Sequence, residues 1–132
     1  MIIALDYGER YVGVAVTDPD ERLALRHSVI DQKQGDILGL VKDIVVAEGA
    51  SKVIVGVPVS LEGNETEQTY VSLAFIERLQ EALSEGVEVI SADETLTSVE
   101  AERRLAEQGV AKDESHAEAA RIILEDYLKS KY

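Results

Sequence analysis

The hydrophobic pattern changes period once, and that change limits the fold more than any other feature of the chain. Up to residue 30 the apolar residues come in short runs. From residue 37 they recur at helical spacing, interrupted by two further short runs. Residues 2–5 and 11–17 suit strands because they are apolar or rich in β-branched residues, 23–30 suits a third because it alternates loosely, and turn residues at Gly8 and at Asp18-Pro19-Asp20 separate them. Three strands with short connections form an antiparallel meander. Ile37, Leu38, Val41, Ile44 and Val45 then mark a helix with Asp36 as its N-cap. Residues 52–57 suit a strand ending at Pro58. Asn64 with Glu67 resembles a helix start, and Val71, Phe75, Leu79 and Leu83 form that helix's apolar stripe up to Gly86. Residues 87–92 suit a fifth strand.

Thr97 with Glu100 predicts a capped helix over 97–108, stopped by Gly109. Ser115 with Glu118 predicts a second capping box, opening a last helix that carries Ala119, Ile122, Ile123, Tyr127 and Leu128. The order is β-β-β-α-β-α-β-α-α. Strands four and five each follow a helix, so right-handed crossovers place them parallel to strand one. The expected fold is α/β, a five-stranded mixed sheet of three antiparallel and then two parallel strands flanked by helices. It forms one domain over residues 1–132, without internal repeat or linker.

Composition narrows the function classes. The 132 residues include no Cys, which excludes disulfides, thiolate metal sites and a cysteine nucleophile. Lys and Arg number 13 against 26 Asp and Glu, a net charge of −13. That balance argues against a basic nucleic-acid clamp, since phosphate binding relies on Lys and Arg. The start of the chain meets a charge at Asp6, unlike a signal peptide, and no run approaches the roughly 18 apolar residues of a spanning helix. A soluble, cytoplasmic protein with no membrane partner is expected.

Four segments carry candidate chemistry. Asp6-Tyr7-Gly8 ends the first strand; a buried acid there suits a metal-binding carboxylate, and an Asx-type turn is the other reading. Val55-Gly56-Val57-Pro58-Val59-Ser60 leads through Glu62-Gly63-Asn64 to a helix N-terminus, which suits an anion or serves as an ordinary connection. Asp93-Glu94 follows strand five. Adjacent strand residues point to opposite faces, so one of the two faces any given site, and both can instead complement a helix dipole. His116 opens the last helix, as a surface residue or as a ligand suited better to Mn²⁺ than to Mg²⁺. Asp6, Glu94 and His116 come from two strand ends and one helix start. Convergent carboxylates of this kind are what a hydrolytic divalent-metal site requires.

In this order the segments resemble the YqgF (RuvX) family of Holliday-junction-resolvase-like proteins, which have an RNase H-like fold. Ala4-Leu5-Asp6-Tyr7-Gly8 with Val12-Gly13-Val14-Ala15-Val16-Thr17-Asp18 is similar to the family's opening hairpin. Val53-Ile54-Val55-Gly56-Val57-Pro58 with Glu62-Gly63 is similar to its strand-four motif. Asp93 to Ala101 is similar to its acidic motif, and Ala119-Ala120 with Ile122 to Leu128 to its final helix. The resemblance spans essentially the whole chain.

It implies a metal-dependent endonuclease using Mg²⁺ or Mn²⁺, in the maturation of the 5′ end of pre-16S ribosomal RNA, with junction resolution as the alternative. Asp6 and Glu94, with Asp93 beside it, would be the metal-binding acids, and His116 stands where the family carries an Asp. Thr95 replaces a usual Arg, and the basic pair after Gly8 is reduced to Arg10 beside Tyr11. Arg10, Asn64, Arg103 and Arg104 are the candidate nucleic-acid contacts, and a solvated helix face also explains the last two. Structured RNA or branched DNA, and possible ribosomal components supplying positive charge, are the expected partners of a monomer or homodimer. A catalytically impaired binding module of the same fold is a further reading. A two-domain sugar-kinase-like phosphate binder also opens with Asp-x-Gly, but 132 residues leave no room for its second domain.

Overall fold

The computed structural model describes residues 1–59, 64–95 and 112–131. Its elements are β1 (Ile2–Tyr7), β2 (Tyr11–Thr17), β3 (Ala24–Asp31), α1 (Ile37–Glu48), β4 (Lys52–Val59), α2 (Glu67–Ala82), β5 (Glu88–Thr95) and α3 (Lys112–Lys131). The sheet order is β3-β2-β1-β4-β5. β1 pairs antiparallel with β2 and parallel with β4, and β4 pairs parallel with β5. This is the mixed sheet expected from the period change.

Alternation divides the sheet into two faces. Ile3, Leu5, Val12, Val14, Val53 and Val55 pack with Ile37, Val41 and Val45 of α1 and with Phe75 and Leu79 of α2. Ile2, Ala4, Ala15 and Ile54 face the other way, against Ala120, Ile123, Leu124 and Leu128 of α3. Large side chains fill the first layer. Small ones dominate the sheet side of the second, so α3 lies low on the sheet.

Two glycines set how low. A Cβ on Gly13 would overlap the carbonyl group of His116 and lie 3.0 Å from the Ala117 nitrogen. A Cβ on Gly56 would meet the Ile123 Cδ1 at 2.5 Å. In a strand, glycine at such a position permits close backbone approach.

Several boundaries depart from the sequence expectation. β3 runs over 24–31, and its register with β2 shifts between Val14 and Ala15. One extra residue there, His27, breaks strict alternation. β4 continues through Pro58 to Val59, beyond the expected end at 57. Its pairing with β1 stops at Leu5 and Val55, so on that side Pro58 faces no ladder that needs its missing N–H. β5 extends to Thr95, so Asp93 and Glu94 lie inside the strand and not after it.

Helix ends differ as well. α2 is capped by Thr66, whose hydroxyl accepts from the Thr69 N–H while the Thr69 hydroxyl accepts from the Thr66 N–H. Asn64 therefore precedes the cap. The helix closes at Leu83, ahead of Gly86. α3 begins at Lys112, which places Ser115 inside the helix and buried, not at its cap. Asp36 does cap α1, accepting from Gly39 N–H at 3.3 Å, and Gly49 ends it at φ 63°. The helix expected over 97–108, with Arg103, Arg104 and Gly109, lies outside the described residues.

The two glycine contacts differ in what a methyl group would displace. Gly13→Ala pushes against backbone of α3 and is expected to destabilise the fold by about 3 kcal/mol or more. Gly56→Ala pushes against the end of a flexible side chain and costs about 1 kcal/mol. Urea denaturation of the two variants checks the ranking.

Candidate functional site

Asp6 is the last even-numbered residue of β1. Ile2 and Ala4 pack under α3, and alternation places Asp6 on the same face. It is only 9% exposed. Its partner across β2 is Gly13. On the other side the pairing of β1 with β4 ends at Leu5 and Val55, so Gly56 is the next residue of β4. Asp6 therefore sits in a slot with no side chain on the neighbouring β2 position and none on Gly56. A carboxylate buried in this way carries a desolvation cost and is retained only where something compensates it.

The neighbouring residues hold the strand end in place. Tyr7, on the opposite face, stacks on Phe75 of α2 with ring centroids 4.0 Å apart at 12°. Below, the hydroxyl of Thr69 donates to the carbonyl of Pro58 and fixes the start of α2 to the end of β4. The reciprocal Thr66–Thr69 cap uses two of the N–H groups that an anion would have met at this helix start.

His116 arrives from α3. The contact of its carbonyl with Gly13 places the first turns of α3 directly over the register partner of Asp6. The His116 ring lies beside that of Tyr11, with centroids 5.3 Å apart and planes tilted by 33°. The backbone of His116 thus lies over the strand end that carries Asp6.

The acids of β5 are arranged differently. Val89 packs in the α1–α2 layer, whereas Ile90 and Ala92 pack in the α3 layer. Alternation puts Asp93 with Val89, on the face opposite Asp6, and it is exposed. The structure does not bring Asp93 to Asp6. Position 94 pairs with Pro58 and belongs to the backbone set of Ile90 and Ala92. β4 stands between β1 and β5, so about 9–10 Å separates their backbones. The Glu94 side chain lies outside the described residues. Among the described side chains, no group of three His, Asp or Glu is close enough to hold one ion.

The nucleic-acid candidates fall apart spatially. Arg10 occupies the β1–β2 turn, with its side chain 48% exposed. It forms two hydrogen bonds to Asp31, at 3.3 and 3.4 Å, and its guanidinium carbon stands 4.9 Å from the Tyr11 ring centroid. The Asp31 bond holds Arg10 above its ordinary value, and Arg10 together with the Lys33 N–H holds the Asp31 carboxyl below its own. This carboxyl's contribution is complete above the ordinary carboxylate range and is lost as pH falls through the lowered value. Asn64 is exposed ahead of α2. Arg103 and Arg104 lie outside the described residues.

Two residues of the site were not singled out as site residues from the sequence. Gly13 seats the helix and Tyr11 touches His116. A glycine inside a β-branched run is a readable sign of close backbone approach, so Gly13 was accessible to sequence reasoning. The Tyr11–His116 contact was not, because it joins opposite ends of the chain.

A family model described as "RuvX: Holliday junction resolvase" matches residues 1–130. A Chloroflexus aurantiacus protein named "Putative pre-16S rRNA nuclease" is 38% identical, over 99% of this chain and 88% of its own length. A Dictyoglomus thermophilum protein of the same name is 33% identical, over 98% and 95%. Among solved structures, Thermus thermophilus RuvC aligns at a TM-score of 0.56 and 18% identity, covering 98% of this chain and 95% of that one. The same protein in complex with a Holliday junction substrate aligns at 0.57 and 17%, covering 99% and 96%. The sheet order, the packing of α3 and these matches together place the fold as RNase H-like, and the chain belongs to the RuvX family.

Proposed function

We propose that this chain is a divalent-metal-dependent nuclease that hydrolyses phosphodiester bonds at the 5′ end of pre-16S ribosomal RNA. It acts as one domain over residues 1–132, in the cytoplasm, where ribosomal components help to bring the RNA. The observation that carries the reading is the Asp6 carboxylate, buried at the end of a central strand between two glycine positions with α3 seated over one of them. The name shared by its relatives supports the substrate.

The donor chemistry fits a divalent cation. Asp6 and Glu94 offer oxygen and His116 offers imidazole nitrogen, a set suited to Mg²⁺ or Mn²⁺ with the nitrogen favouring Mn²⁺. Such a cation, when bound, polarises the phosphate and lowers the pKa of water. The protein's own part is preorganisation. The backbone that carries Asp6 is anchored, because Leu5 and Tyr7 on either side of it are packed into the opposite layer. A negative charge fixed before substrate arrives needs no reorganisation during the reaction. His116 is set at the same edge by backbone contact, so its position does not depend on side-chain packing alone. Arg10 and Asn64, with Arg103 and Arg104, are the proposed contacts to the nucleic acid.

Branched DNA is the second reading, favoured by the description of the matching family model. Purified chain with Mn²⁺ is expected to cut a precursor 16S RNA bearing its 5′ extension in preference to a four-way DNA junction. Asp6→Asn should lower that rate by more than about 100-fold. A variant as active as the parent removes the mechanism, and cleavage of the junction alone selects the second reading. His116→Asp replaces nitrogen with a harder oxygen donor, so the ratio of Mg²⁺-supported to Mn²⁺-supported rate is expected to rise. Parallel assays in the two ions measure it.

A further inference from the structure

The backbone of His116 is fixed by its contact with Gly13, but that contact leaves the two side-chain torsions of the imidazole open. Tyr11 limits them. It lies two residues before Gly13 on β2, on the α3 face, with its ring 5.3 Å from the imidazole. Tyr11 is itself held. The Arg10 guanidinium stands over its ring, and Asp31, the register partner of Tyr11 on β3, binds that guanidinium with both oxygens. Gln32 completes the brace: its N–H donates to the Arg10 carbonyl at 2.8 Å and its side-chain amide to the Gly8 carbonyl at 2.7 Å. A cation over one part of the ring and an imidazole beside it are both favoured by the ring's electron distribution.

We propose that Tyr11 is a positioning residue for His116, the last link of an Asp31–Arg10–Tyr11–His116 chain that sets the plane of the imidazole at the Asp6 edge. Its catalytic consequence rests on the nuclease reading, whereas its geometry does not. Ligand imidazoles are held in place by groups behind them, and loss of such a support lowers activity about 10- to 100-fold. Here the end of β3 supplies the support through two side chains, which makes the β1–β2 turn part of the site although it holds none of the proposed metal ligands.

The test begins without metal. The ring-proton resonances of His116 are assigned against a His27→Gln variant, since the chain has two histidines. In the parent and in Tyr11→Phe, the ring current of residue 11 displaces these resonances from free-imidazole positions. In Tyr11→Leu they move towards them, while core methyl signals stay in place and exclude a folding defect. With Mn²⁺ and RNA, Tyr11→Leu should lose about 10- to 100-fold in kcat with KM near the parent value, and Tyr11→Phe should restore it. Unchanged His116 resonances in Tyr11→Leu, or a Tyr11→Phe variant as impaired as Tyr11→Leu, overturn the proposal. If the parent chain cleaves nothing, the nuclease reading fails and the ring resonances alone decide the role of Tyr11.

Discussion

The close contact of α3 with β2 at Gly13 sets the rest of the structure. Helices packed on a sheet through full-sized side chains stand about 10 Å from it. Here the helix backbone at His116 touches the strand with no side chain between them. Farther along, Gly56 receives Ile123, and only beyond those points does α3 pack in the ordinary way through Leu124 and Leu128. The helix is therefore lowest at the end where Asp6 lies. At the usual spacing the backbone of His116 would stand well above the strand end that carries Asp6.

The same arrangement explains how a buried acid is tolerated. A carboxylate at 9% exposure is under pressure to regain water, and the simplest route is fraying of the strand end. That route is blocked from the opposite face. Leu5 is fully buried against α1 and α2, and Tyr7 stacks on Phe75. Releasing Asp6 would expose both, and burial of one such side chain is worth about 1.5–3 kcal/mol. Packing on one face of β1 thus holds in place the acid on the other.

Much of this was legible in the sequence. The fold followed from the change of period, and Asp6 stood out as an acid closing an apolar strand. Reading failed where a residue's local rule depends on neighbours that sequence does not show. Proline is a poor residue for a central strand, but β4 becomes an edge beyond Val55, so Pro58 is accommodated. The fifth strand was expected to end at residue 92, yet β5 runs on through Asp93-Glu94-Thr95, since an edge strand accepts polar residues. Ser115 with Glu118 has the spacing of a capping box, and the same spacing inside a helix means nothing of the kind. The site shows the same division. Asp6 was visible as a candidate by itself, whereas the side-chain link from Asp31 to His116 exists only after β3, β2 and α3 are assembled.

The excess of acid also has a structural sense. Three arginines that a polyanion would seek are already bound to carboxylates: Arg10 to Asp31, Arg26 to Glu118, and Arg121 to Glu118 and Glu125. The pairing raises Arg10 and Arg121 above their ordinary values. Their net contribution to attracting phosphate is small, because each pair is close to neutral at a distance. With a net charge of −13, a phosphodiester approaching the proposed edge is repelled before it is attracted. A divalent cation held by Asp6 and Glu94 would cancel their negative charge at the one place where chemistry is proposed. Affinity and catalysis would then depend on the same ion, and a backbone bound elsewhere on the surface would gain nothing from it.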